Sequence, residues 1–199
     1  MLLPNNPVAG SKVIGDYVRM ATPAPRLEID GLVLRRERVG DEDLLASTVK
    51  ANLAHLRPWM PWAVPEAATA QAQRERLTTA EQSWEDGSDY TFLLLDAAEE
   101  EVRGVFGLHR RIGPDGIELG YWLDRSVTGH GFATAGARAL TAEALQLPDI
   151  SRVEIHCDEA NERSRGIPER LGYRLDRIES DEVEAPAELG RSMIWVFPA

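Results

Sequence analysis

The chain has 199 residues, 43% hydrophobic and 28% charged, enough for one well-buried domain and ordinary for a globular protein. No apolar run approaches the roughly 20 residues of a membrane span, and the N-terminus lacks the basic-then-apolar pattern of a secretory signal. Thirty-three acidic against 22 basic residues give a net charge of −11, a surface that repels nucleic-acid phosphates and attracts amines and basic proteins.

Residues 1–25 carry four prolines and no sustained period, which predicts an extended or disordered leader. Met20 is a candidate start, with the folded domain over 26–199. Leu27–Arg36 reads as two short strands around the Asp30-Gly31 turn. Asp41 is placed as the N-cap of a helix whose Leu45, Val49, Leu53 and Leu56 recur at helical spacing. Three prolines then forbid regular helix across Leu56–Pro65. Residues 66–86 are expected to be helical, with Ala70, Leu77 and Trp84 on one face and Gly87 as the stop.

A β region follows. Tyr90–Leu95 and Val102–His109 flank the acidic turn Asp96–Glu101, and the turn Gly113–Gly116 precedes a strand over 117–124. A helix is expected from Gly131 to Gln146, a strand over Arg152–Asp158, a short helix over 162–171, and a last strand or pair over 173–197. This order belongs to an α/β or α+β fold with a mixed sheet. The single cysteine, Cys157, has no partner for an intramolecular disulfide, so a reducing cytoplasm is the expected compartment.

Thr128-Gly-His-Gly-Phe-Ala-Thr134 joins a strand to a helix. Glycines there let backbone N–H groups converge on one concavity, and the helix N-terminus adds partial positive charge. Such a loop suits a pyrophosphate, although a plain tight turn has the same composition. It is not a Walker loop, because Phe132-Ala133 stands where Lys-Ser/Thr is needed. Nor is it a dinucleotide fingerprint, because Thr134 breaks the GxGxxG spacing.

Gly120-Tyr-Trp-Leu-Asp124 followed by Gly129-His-Gly-Phe-Ala-Thr134 resembles motif A of the GNAT N-acetyltransferases. Asn161-Glu-Arg-Ser164 with Glu169-Arg-Leu-Gly-Tyr173 resembles motif B. Together with His55-Leu-Arg-Pro-Trp-Met-Pro-Trp62, the pattern is similar to the RimJ/RimL branch, the ribosomal-protein N-terminal acetyltransferases, over about residues 27–197. Thr128 departs from the Gln or Arg usual at the head of the loop, and Gly136 stands where an acid is frequent. The resemblance implies an α+β GNAT fold: a mixed, mostly antiparallel sheet, splayed at the CoA site and flanked by helices. It also implies acetyl-CoA, or another acyl-CoA, as co-substrate and no metal.

By that resemblance the pantetheine arm pairs with the backbone of Tyr121, Trp122 and Leu123. Gly129, His130, Gly131, Phe132, Ala133 and Thr134 hold the pyrophosphate, and Asn161 and Ser164 meet the pantetheine and its thiol. Ser164 is then a candidate acid toward the leaving thiolate, while locally Asn161 reads as an N-cap and Ser164 as first-turn helix. Tyr173 is an alternative acid or a packing residue. Period-2 alternation puts Glu118 on one face with Gly120 and Trp122. A carboxylate among apolar neighbours is expected to have a raised pKa and to serve as base, or else to sit in a salt bridge. The second acid of the RimL type falls at Val183, with Glu182 and Glu184 beside it in a segment of five acids.

His55, His109 and His156 are scattered along the sequence without metal-ligand spacing. Arg163 and Arg165 are candidates for the nucleotide 3′-phosphate. Pro168 removes a helical hydrogen bond to the carbonyl of Ser164. Trp59 and Trp62 form a rigid aromatic segment suited to a cationic amine, or to core packing. The expected partner is an amine acceptor, a peptide N-terminus or a small amine such as a polyamine or antibiotic, with neither nucleic acid nor membrane. A succinyl-CoA-using relative, an inert acyl-CoA-binding module, and a monomer or homodimer all remain open at this point.

Overall fold

Four helices and eight strands account for most of residues 21–198, which the computed structural model describes; leader residues 1–20, with the candidate start at Met20, lie outside the described residues. The strands are β1 (Arg26–Ile29), β2 (Leu32–Arg36), β3 (Asp89–Asp96), β4 (Val102–His109), β5 (Gly116–Leu123), β6 (Arg152–Asp158), β7 (Arg174–Ser180) and β8 (Arg191–Pro198). They form one sheet in the order β1-β2-β3-β4-β5-β6-β8-β7. Helices α1 (Glu42–Leu56) and α2 (Ala70–Asp86) join β2 to β3. Helix α3 (Phe132–Ala144) crosses from β5 to β6, and α4 (Glu162–Leu171) lies between β6 and β7.

Alternation along the strands feeds two apolar clusters. On β3, Phe92 and Leu94 join a core that also holds Ile117 and Leu119 of β5 and Ala137, Leu140 and Ala144 of α3. Leu93 and Leu95 point the other way, onto Leu45 of α1 and Leu77 of α2. A strand buried on both faces reads as a continuous apolar run, which Phe92–Leu95 is. Gly136 of α3 meets the sheet where an added Cβ would come 2.5 Å from the ring of Phe106, so only glycine lets the helix pack this close.

All neighbouring strands are antiparallel except β5 and β6, which α3 returns in parallel. That parallel pairing lasts only from Gly116↔Arg152 to Glu118↔Glu154. Beyond it β5 pairs with β4 alone and β6 with β8 alone, so the sheet opens into a wedge. This is the mixed, splayed sheet that the motifs implied.

Three expectations need correction. The helix expected over 66–86 is a 3-10 turn, Pro65–Ala68, and then α2; Thr69, extended at φ −104°, separates them and caps α2 by accepting the N–H of Ala72 at 3.2 Å. The helix over 131–146 is shorter, since α3 begins at Phe132 after left-handed Gly131 and ends at Ala144. Asp41 precedes α1, but its carboxylate makes no cap bond. It is drawn instead to the buried guanidinium of Arg35, at 2.8 and 2.7 Å, and accepts the N–H of Arg38 at 2.9 Å. Two charge-assisted bonds to one guanidinium fork, plus the Arg38 N–H, outcompete a single bond to a helix N–H.

Candidate active site

The wedge opens onto a cavity of about 890 Å³ between the sheet face carrying Glu118, Gly120 and Trp122 and the helical side carrying Trp59, Trp62 and Arg76. The glycine loop follows β5 and heads the crossover helix α3. Gly129 and Gly131 have φ of 81° and 86°, the left-handed region that costs other residues strain, and α3 starts directly after them. An added Cβ at either glycine would meet nothing within 4 Å, so the space in front of the loop is open. Asn52 of α1, 2% exposed, braces the loop's approach: its amide donates to Asp124 at 2.9 Å and its carbonyl accepts the N–H of Arg125 at 2.8 Å. His130 spends its Nδ1–H on the carbonyl of Thr128 at 3.1 Å. Arg170 of α4 donates to the hydroxyl of Thr134 at 3.3 Å, which puts a guanidinium beside the first turn of α3. Arg163 and Arg165, the candidates for the nucleotide 3′-phosphate, lie on the same helix as Arg170.

Asn161 and Ser164 come to the wedge from the start of α4. The side chain of Asn161 accepts the N–H of Ser164 at 3.2 Å, so its capping role is present. The hydroxyl of Tyr121, from β5, lies 3.3 Å from Ser164 Oγ and donates to the Ser164 carbonyl at 3.4 Å. That carbonyl is available because Pro168 has no N–H to give it. Burial raises the Tyr121 hydroxyl, with the Ser164 contact pulling the other way, so it stays protonated at neutral pH. Tyr173 packs in the core and shares a 2.5 Å hydrogen bond with Thr141. Of the two tyrosines, it is Tyr121 whose hydroxyl meets the wedge.

Cys157 on β6 lines the same cavity and is 8% exposed. Burial pushes its thiol up to about 11 from 9.0, against the pull of Ser164 and Trp195. The thiolate fraction at pH 8 is thereby cut about a hundredfold, and only the thiolate alkylates. Iodoacetamide at pH 8 is therefore expected to label the native protein at least 100-fold more slowly than the urea-unfolded chain, read by intact mass against time.

Glu118 is buried at 7% exposure, and both its oxygens are taken by Arg111, at 2.7 and 2.6 Å. Burial raises its pKa, but the Arg111 hydrogen bonds and the charges of His156, Arg111 and His109 outweigh it and hold the carboxyl below its ordinary value. The raised pKa expected from the strand pattern is thus reversed, by an arginine whose position seven residues upstream the alternation does not reveal. Strand register also gathers the scattered histidines. His109 stands opposite Glu118 across β4–β5, and Nδ1 of His156 is 3.8 Å from it across β5–β6. His156 Nε2 is bound to Glu154 at 2.7 Å, and His109 Nδ1 to Asp89 at 2.6 Å. Among the described residues no group of three or more His, Cys, Asp or Glu is arranged to hold a metal ion.

The cavity mouth is aromatic and acidic. Trp62, 40% exposed, lies 6.0 Å from Trp122, and Trp59 lines the wall behind it. The β7–β8 loop closes the other side, held by one carboxylate oxygen of Asp158 that accepts the N–H groups of Leu189, Gly190 and Arg191 at 2.9, 3.0 and 3.2 Å. Asp181, Glu182 and Glu188 of this loop line the cavity, whereas Glu184 does not and Val183 is 61% exposed.

A splayed mixed sheet with a glycine loop at the head of its crossover helix defines the class. The family model described as "Acetyltransferase (GNAT) domain" matches residues 32–174, and the chain belongs to that family of acetyltransferases. Within it the chain is similar to the RimJ/RimL ribosomal-protein acetyltransferases. It is 26% identical over 165 residues to the [ribosomal protein uS5]-alanine N-acetyltransferase of Escherichia coli, covering 82% of this chain and 85% of that one. A shorter match, 39% identical over 56 residues, links it to YdaF of Bacillus subtilis and spans 28% of this chain and 31% of YdaF. The structure of RimL, the ribosomal L7/L12 α-N-protein acetyltransferase, in complex with coenzyme A superposes with a TM-score of 0.76 at 22% identity, over 86% of this chain and 98% of that one. Among the described residues no helix is long and apolar enough to cross a membrane.

Proposed function

We propose that the protein transfers an acetyl group from acetyl-CoA to a primary amine, in a ternary complex, with a protein or peptide α-amine as acceptor. The observation that carries this reading is the hydroxyl pair of Tyr121 and Ser164 at the wedge, between the glycine loop and the open cavity. Acetyl-CoA supplies an activated thioester carbonyl. The residues fit it: Gly129 and Gly131 leave room in front of the α3 N-terminus for a pyrophosphate. The end of β5 at Tyr121–Leu123 has no β6 partner and can accept an extended arm by strand addition.

Tyr121 and Ser164 then stand where a departing thiolate needs a proton, and backbone N–H groups of the same strand end are candidates for holding the oxyanion. Acceptor entry is favoured by Trp59, Trp62 and the acidic loop, since an ammonium gains about 0.5–2 kcal/mol over an aromatic face. The peptide acceptor is supported by the names of two similar proteins, a [ribosomal protein uS5]-alanine N-acetyltransferase and a ribosomal L7/L12 α-N-protein acetyltransferase.

The test is thiol release from acetyl-CoA with a panel of peptides and of small amines, with intact-mass analysis of the products. Peptide α-amines are expected to gain 42 Da, the mass of an acetyl group replacing hydrogen, in competition with succinyl-CoA and polyamines. Turnover of the small amines alone would move the acceptor to that class. Coenzyme A binding with no thiol release from any amine would reduce the protein to an acyl-CoA-binding module.

A further inference from the structure

The geometry points to His109 as the general base of the transfer reaction, with Asp89 as its positioning residue; this inference rests on the acyltransferase reading above. The ring of His109 lies over a glycine pair, Gly107 on β4 and Gly120 on β5, which face each other across the strands. An added Cβ at Gly107 would come 2.3 Å from His109 Nε2, and one at Gly120 3.4 Å from it. Any side chain at Gly107 would therefore displace the imidazole. The two glycines form the shelf on which it lies, and Gly120 is two residues past Glu118, the last β5 residue paired with β6.

Orientation follows from chemistry. A carboxylate accepts and cannot donate, so the 2.6 Å contact with Asp89 puts the hydrogen on His109 Nδ1 and leaves a lone pair on Nε2. Asp89 is itself steadied by the hydroxyl of Thr91, which donates at 3.4 Å. Among the described residues Nε2 has no hydrogen-bond partner, and the ring lines the cavity. The other titratable groups on the same sheet face are occupied. Glu118 gives both oxygens to Arg111, and His156 has one nitrogen on Glu154 and the other facing Glu118. Around the ring stand Asp89 on β3, Glu118 on β5 with its partners Arg111 and His156, and, from α2, Arg76 with its partner Glu37.

The step balances without another reactant. His109 Nε2 takes one proton from the acceptor ammonium, directly or through one water, and later passes it to solvent. The freed nitrogen lone pair forms the N–C bond to the acyl carbon as the C–S bond breaks. The second amine proton ends on the thiol, with Tyr121 and Ser164 placed to relay it. Asp89 accepts from Nδ1–H and so holds the tautomer and the ring orientation.

The experiment measures kcat/KM against pH for the full chain and for His109→Gln, His109→Ala and Asp89→Asn, with coenzyme A binding by calorimetry as the check on folding. His109→Gln is expected to lower kcat/KM by roughly 10²–10³ at pH 7 and to remove the ascending limb of the profile, with coenzyme A affinity within twofold. Asp89→Asn is expected to lower kcat/KM by at least tenfold and to displace that limb, which a merely structural defect would leave in place. Wild-type activity with an unchanged limb and rate in His109→Gln would overturn the base assignment alone. A wild-type protein that releases no thiol would overturn the acyltransferase reading and this assignment with it.

Discussion

Asp41→Ala is expected to lower the free energy of unfolding by about 3 kcal/mol, the lower end of the 3–5 kcal/mol seen when one partner of a buried ion pair is removed. The Arg35 and Asp41 side chains are 9% and 5% exposed, so water compensates little for the lost contact. Glu99 stays 3.0 Å from Arg35 Nε, and that remaining partner keeps the cost from the upper end. A plain N-cap would be worth about 1 kcal/mol. Asp41→Asn separates the two roles, because asparagine caps as well as aspartate but carries no charge. If the ion pair dominates, Asn loses most of what Ala loses, measured as the shift of the urea midpoint at constant slope. A near-neutral Asp41→Asn would return Asp41 to the capping role and sink the ion-pair account.

Tyr121→Phe is expected to lower kcat by about 10²-fold or more, within the 10²–10⁴ range of a positioned general acid, or about 2.7–5.5 kcal/mol of barrier. The substitution keeps the ring, which packs 5.7 Å from Phe106, and removes only the hydroxyl at Ser164. Ser164→Ala is expected to cost less than Tyr121→Phe if the tyrosine is the proximal donor, and more if the serine is. The double variant should cost little more than the worse single, since groups acting as one unit are not additive. Burial holds the Tyr121 hydroxyl above its ordinary 10.0, so the wild type should show no descending limb from this acid below about pH 10. Singles and double all within threefold of wild type would remove the hydroxyl pair from the chemistry.

Much of the fold was legible because it is written locally. Alternation at Ile117–Leu123, the helical spacing of Leu45, Val49 and Leu56, and the left-handed glycines at 87, 129 and 131 each act over a few residues. The loop, the start of α3 and the Asn161 cap of α4 were legible for the same reason, since each is a contiguous motif. Errors came where a side chain met a partner outside its own element: Asp41 turned from the helix to Arg35 on β2, and Glu118 of β5 met Arg111 in the preceding loop.

The base end shows the division most clearly. Asp89, His109, Glu118 and His156 belong to four strands, and nothing in their spacing ties them together. Their grouping on one face is set by the registers Asp89↔His109 and His109↔Glu118, and by the short parallel pairing that ends at Glu118↔Glu154. The sequence by itself determined the element order, the family resemblance and the glycine loop, because backbone conformation and amphipathic period are properties of neighbouring residues. Only the tertiary structure decided which carboxylate is tied up and which imidazole nitrogen is free, because pairing in a sheet brings together residues that no local period relates.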